Sequence, residues 1–109
     1  MERVRVAALA DLPPGAGRRV EVAGRHVALF LVGDEVFALA DRCSHDEASL
    51  AEGDVFDHSV ECPRHGAAFD LRTGAVLSLP ATREVAAFRA EVEGADVYLW
   101  VEPTGEGRL

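Results

Sequence analysis

Lysine is absent from this chain of 109 residues: all 11 basic side chains are arginine, set against 19 Asp and Glu for a formal net charge of −8. An acidic chain repels a phosphate backbone, which argues against nucleic acid and favours a protein partner with a basic docking surface. Cysteine is scarce, with only two residues. A domain of this length buries enough surface to need no covalent staple, and each cysteine lies near a histidine, so metal ligation is a better reading than a disulfide. Long hydrophobic runs are missing too. Met1 to Asp11 alternates arginine with valine, which excludes a cleavable leader or a membrane span and points to a cytoplasmic protein. No segment keeps a helical apolar period over three turns, and no internal repeat is visible. What is present is a hydrophobic content of 49%, that of a folded chain, over a length that fits a single domain spanning residues 1–109.

Short strands separated by turns account for most of the chain. Val4–Leu9 is a first apolar run, broken by Pro13-Pro14-Gly15-Ala16-Gly17. Residues 18–40 read as a three-stranded meander, with turns at Gly24-Arg25 and Gly33-Asp34 and a buried strand over Arg25–Val32. Ala48–Ala51 forms a helical turn that Gly53-Asp54 ends, and Val55–Glu61 is one strand. Gly66–Asp70 is another, followed by an Arg72-Thr73-Gly74 turn and a loop from Leu77 to Ala81. Val85–Glu93 alternates as a single strand and turns at Gly94-Ala95-Asp96 into Val97–Val101, the clearest hairpin of the chain. From 103 to 109 the tail is polar and glycine-rich, the composition of a flexible end. Trp100, Tyr98 and Phe88 are read as core packing of the last hairpin.

Two stretches hold the chemistry. Cys43-Ser44-His45 and Cys62-Pro63-Arg64-His65 each offer one thiolate and one imidazole, with 16 residues between His45 and Cys62. Structural zinc sites pair Cys with Cys and His with His at wider spacings, so mixed pairs fit zinc poorly. A two-iron centre accommodates them, with both thiolates on one iron and both imidazoles on the other. Zinc remains as the alternative, in a structural metal-binding module.

Cys-X-His, an intervening stretch and Cys-X-X-His resemble the Rieske [2Fe–2S] pattern, here in the form Cys43-Ser44-His45 and Cys62-Pro63-Arg64-His65-Gly66. The likeness continues through Ala67-Ala68-Phe69-Asp70 and Arg72-Thr73-Gly74, with Pro80 where the family has a proline loop, and it covers roughly residues 3–102. It implies an all-β Rieske iron–sulfur fold: a small antiparallel β-sandwich with a cluster-binding subdomain of two loops at about 41–81. It also implies one [2Fe–2S] cluster, with Cys43 and Cys62 on one iron and His45 and His65 on the other. The implied role is a soluble ferredoxin, not an enzyme, that carries single electrons from a flavin-dependent reductase to a terminal oxygenase of the ring-hydroxylating dioxygenase type. Docking would be transient and the carrier a monomer. A carrier for another pathway and a nitrite reductase small-subunit-like protein are the alternatives within the family.

Residues missing from the pattern refine the expectation. High-potential members carry a second cysteine in each loop and hydroxyl side chains near the sulfurs; the corresponding positions here are Ala48, Arg64, Ala67 and Phe69. Hydrogen bonds to sulfur stabilise the reduced, more negative state, so their absence implies a low midpoint, about −150 mV. His26 and His58 have no cysteine beside them and read as ordinary surface or strand residues. Asp46, Glu47, Glu52, Asp54, Asp57 and Glu61 lie between or beside the stretches, as a solvated face or as a negative collar that steers docking. No nucleophile–base pair and no second iron site is visible, so the chain reads as a carrier of electrons rather than the enzyme that uses them.

Overall fold

The computed structural model describes residues 2–41, 49–63, 66–77 and 84–101. Its strands are β1 (Glu2–Ala8), β2 (Gly17–Val22), β3 (Arg25–Val32), β4 (Glu35–Ala40), β5 (Asp54–Phe56), β6 (Ser59–Glu61), β7 (Ala68–Asp70), β8 (Ala87–Phe88), β9 (Ala90–Glu93) and β10 (Asp96–Val101). Helix among the described residues is limited to two 3-10 turns, Leu9–Asp11 and Leu50–Glu52. The strands form three sheets in the orders β1-β10-β9, β2-β3-β4-β8 and β5-β6-β7, with antiparallel pairing throughout. The expected all-β antiparallel architecture is therefore observed.

Strand β3 shows why the layers stack as they do. Val27 and Leu29 pack with Val97, Leu99 and Val101 of β10, whereas Ala28 and Phe30 pack with Val60, Phe69 and Leu71 from the β5-β6-β7 side. The sheet containing β3 is thus covered on both faces. That explains a continuous apolar run where a one-sided strand would alternate. Complete burial of a side chain such as Phe30 contributes about 1.5–3 kcal/mol. The β2–β3–β4 meander matches the expected one, except that its first turn falls at Ala23-Gly24, one residue early.

Three expectations need correction. Val55–Glu61 is not one strand: Asp57 and His58 form a turn between β5 and β6, with Asp57 at φ 54°. Asp is among the few residues that enter this left-handed region readily, and the Ser59 hydroxyl supports the turn by donating to the Phe56 carbonyl at 2.9 Å. Val85–Glu93 also divides. Ala87 and Phe88 pair with β4, whereas Ala90–Glu93 pairs with β10, so one stretch serves two sheets and changes partner at Arg89. Finally, Tyr98 and Trp100 do not enter the core. Val97, Leu99 and Val101 take the inward positions of β10, leaving Tyr98 half-buried under Arg3 (4.0 Å) and Trp100 under Arg89 (4.9 Å). Phe88, by contrast, does pack against the core between these layers.

The 3-10 turn at Leu50–Glu52 lies two residues beyond the expected helical turn, of which Ala48 is outside the described residues. Pro80 and the 103–109 tail are outside them as well. Among the described residues no helix is long and apolar enough to cross a membrane.

Candidate metal centre

Cys62 is the expected ligand that the structure describes. It follows β6 directly, is 2% exposed and forms no disulfide. Its N–H donates to the Ala67 carbonyl at 2.7 Å, and its carbonyl accepts the Gly66 N–H at 3.1 Å. These two bonds close the base of the hairpin between β6 and β7. Gly66 takes φ 78°, a conformation that favours glycine, which accounts for Gly at the end of Cys62-Pro63-Arg64-His65-Gly66. Cys43, His45 and His65 lie outside the described residues.

The stem of the first stretch is described on both sides. Asp41 ends its strand side and Ser49 begins the return. The Asp41 carboxylate accepts the Ser49 hydroxyl, which stands 2.9 and 2.8 Å from its two oxygens, and the Ala51 N–H at 2.8 Å. One hydroxyl proton serves that pair of short contacts, so Ser49 supplies a single shared bond. Arg19 of β2 places its Nε 3.1 Å from Asp41 Oδ2 while directing its N–H at His26 Nδ1, 3.0 Å away. The Asp41 N–H donates to the His26 carbonyl at 3.0 Å.

The two stems meet through the Leu50–Glu52 turn. Gly53, which ends that turn, sits so close to the Glu61 carbonyl oxygen that a Cβ there would overlap it. Leu50 packs in one cluster with Val60, Cys62, Ala67 and Phe69. A continuous path of contacts thus runs from Asp41 through Ala51 and Gly53 to Glu61 and Cys62. Ala67 and Phe69 are both fully buried at the base of the Cys62 hairpin, and neither has a side-chain hydroxyl.

The other singled-out residues stand apart. His26 is exposed and bonds Arg19; His58 meets Phe37 edge-on at 5.4 Å between ring centres. Glu52, Asp54 and Asp57 are exposed and Glu61 is half-buried, while Asp46 and Glu47 are outside the described residues. The residue that sequence reading missed is Asp41. An aspartate at a strand end looks like any turn residue, and its partners lie 8, 10 and 22 positions away.

An antiparallel β fold with a buried free thiol at the base of the β6–β7 hairpin, and a Cys/His pair in the sequence of each ligand stretch, is the setting of an iron–sulfur protein. The donor set fits that group, since two thiolates and two imidazoles are what a Rieske centre requires. The chain belongs to the Rieske [2Fe–2S] domain family, whose model matches residues 2–89. It is 43% identical over 100 residues to the 3-phenylpropionate/cinnamic acid dioxygenase ferredoxin subunit of Escherichia coli K12, covering 91% of this chain and 93% of that one. The ferredoxin of carbazole 1,9a-dioxygenase from Nocardioides aromaticivorans IC177 superposes with a TM-score of 0.86 at 38% identity, over 91% of this chain and 97% of that one. A chain from a complex of reduced oxygenase and oxidized ferredoxin in carbazole 1,9a-dioxygenase matches with a TM-score of 0.82 at 40% identity, over 89% and 91%. One Rieske-type cluster is accordingly the cofactor, which sets aside zinc. The protein is an electron-transfer component rather than a catalytic enzyme.

Proposed function

We propose that this chain is a low-potential ferredoxin that takes single electrons from a flavin-dependent reductase and delivers them to a terminal oxygenase of the ring-hydroxylating dioxygenase type. It works as a cytoplasmic monomer that docks transiently, and residues 1–109 form one domain. Cys43 and Cys62 hold one iron, and His45 and His65 hold the other. The observation that carries this reading is the joined pair of stems: the buried Cys62 thiol on one hairpin is tied through Gly53 and Ala51 to Asp41, two residues before Cys43.

When bound, the cluster supplies reversible one-electron chemistry. The protein's own part is to hold and shield it. The Cys62 N–H is already used by the Ala67 carbonyl, and the side chains beneath it, Ala67, Phe69, Leu50 and Val60, keep water from that side. Without a hydroxyl at 67 or 69, the chain offers no side-chain donor there to favour the reduced state, which supports the low potential.

Replacing Cys43, His45, Cys62 or His65 singly by Ser or Ala is expected to abolish the visible absorbance and the reduced-state EPR signal of the cluster. Retention of a full signal in any of the four variants removes that residue from the ligand set. A redox titration of the wild-type protein is expected to give a negative midpoint, about −150 mV; a clearly positive one overturns the low-potential reading. Steady-state turnover with a purified reductase and dioxygenase then checks the carrier role.

A further inference from the structure

Asp41 is the buried charged residue among those described, and its side chain is fully enclosed. Enclosing a carboxylate is costly unless it is paired and hydrogen-bonded, and apolar residues of similar size fill such a position at lower cost. Stability alone therefore does not explain an aspartate here. Its placement does. One oxygen pair receives the Ser49 hydroxyl and the Ala51 N–H from the far side of the first ligand stretch, while the Asp41 backbone begins the near side. A single carboxylate thus ties the entry and exit of residues 42–48. The same group is held to the central sheet from β2 by Arg19, and its N–H is held to β3 at the His26 carbonyl.

We infer that Asp41 is a positioning residue for the cluster: by clamping both ends of the 42–48 stretch it holds Cys43 and His45 in register with the Cys62 hairpin. The inference rests on the ligand assignment above. Charge-assisted bonds to a carboxylate are the strong kind, and two donors, the Ser49 hydroxyl and the Ala51 N–H, converge on this one with the Arg19 charge beside it. The path continues from Ala51 to Gly53 and Glu61, so the clamp also sets the first stretch against the second. Loosening it frees the loop ends without removing any donor atom from the cluster. Iron is then released more readily, and the geometry around it becomes less uniform.

The test compares holoproteins of the wild type, Asp41→Asn, Ser49→Ala, Ser49→Thr and Arg19→Gln. Cluster loss under excess chelator is followed by visible absorbance, reduced-state EPR reports the spread of geometries, and Trp100 fluorescence in urea reports unfolding of the β1-β10-β9 sheet. Asp41→Asn is expected to lose its cluster about tenfold faster, as removal of charge-assisted bonds implies, and to broaden the EPR lines. Ser49→Ala is expected to be several-fold faster, and Ser49→Thr, which keeps the hydroxyl, to return to the wild-type rate. Arg19→Gln falls between them. Wild-type rates and line shapes in Asp41→Asn overturn the inference. So do equal losses of cluster retention and of the Trp100 transition in every variant, which mark a merely structural role. If Asp41→Asn does not accumulate, the Ser49 pair decides alone: equal rates for Ala and Thr overturn it. Absence of a Rieske signal from the wild type overturns the ligand reading itself, whatever the variants show.

Discussion

Ala67 and Phe69 show how single atoms set what the site can do. Both are fully buried in one cluster with Cys62, so a hydroxyl introduced at either place is kept from water. Ala67→Ser and Phe69→Tyr are expected to move the midpoint upward, because a donor near sulfur favours the reduced state. Voltammetry of the loaded variants checks the sign, and an unmoved potential in both removes these positions from the account. The ligand stretches were recognisable in the sequence because the chemistry dictates both residue type and spacing. Asp41 was not, since its meaning depends on Ser49, Ala51 and Arg19 arriving around it. Tyr98 and Trp100 were misread for a related cause: an aromatic side chain on an alternating strand fits either face, and the arginines that cover these two come from β1 and from the β8–β9 junction.

Among the elements, the segments that flank the two ligand stretches are in contact with each other. The 3-10 turn at Leu50–Glu52 connects them, and Gly53 lets its end approach the Glu61 carbonyl. Gly53→Ala forces these strands apart just before Cys62. The expected cost is about 1–3 kcal/mol in urea unfolding followed by Trp100 fluorescence, together with a lower iron content at purification. A variant with full iron and unchanged stability shows that the backbone yields there at little cost. The β2–β3–β4 meander was legible because its turns contain glycine and its strands are long. The β5–β6 turn was not, as Asp57-His58 carries no glycine or proline. The division at Arg89 was hidden because alternation looks the same whether a strand keeps one partner or changes to another.

For the molecule as a whole, two cores share one central sheet. Cys62 belongs to the core under β5, β6 and β7, while β1, β9 and β10 close the other. Removing the iron with a chelator is therefore expected to speed hydrogen exchange at Val60 and Phe69 far more than at Val97 and Leu99. Equal acceleration in both cores indicates one cooperative unit instead. Charge acts at the same scale. The exposed Glu52, Asp54 and Asp57 lie on the segment between the two ligand stretches, in a chain of net charge −8. If they steer docking, the second-order rate of electron transfer to an oxygenase falls as salt is added; stopped-flow measurements across a salt series check this, and a flat series marks a solvated face.

By itself the sequence determined the all-β class, the central meander and the iron–sulfur family, because strand alternation, turn residues and metal-ligand spacing are local properties of the chain. Only the tertiary structure decided which face of β10 is buried, where one strand passes between sheets, and that Asp41 joins the two ends of the first ligand stretch. Those features arise from groups far apart in the chain that packing brings together, and no local pattern encodes them. The two ligand stretches were visible as chemistry; the contacts that Asp41 makes beside the first of them became visible only as geometry.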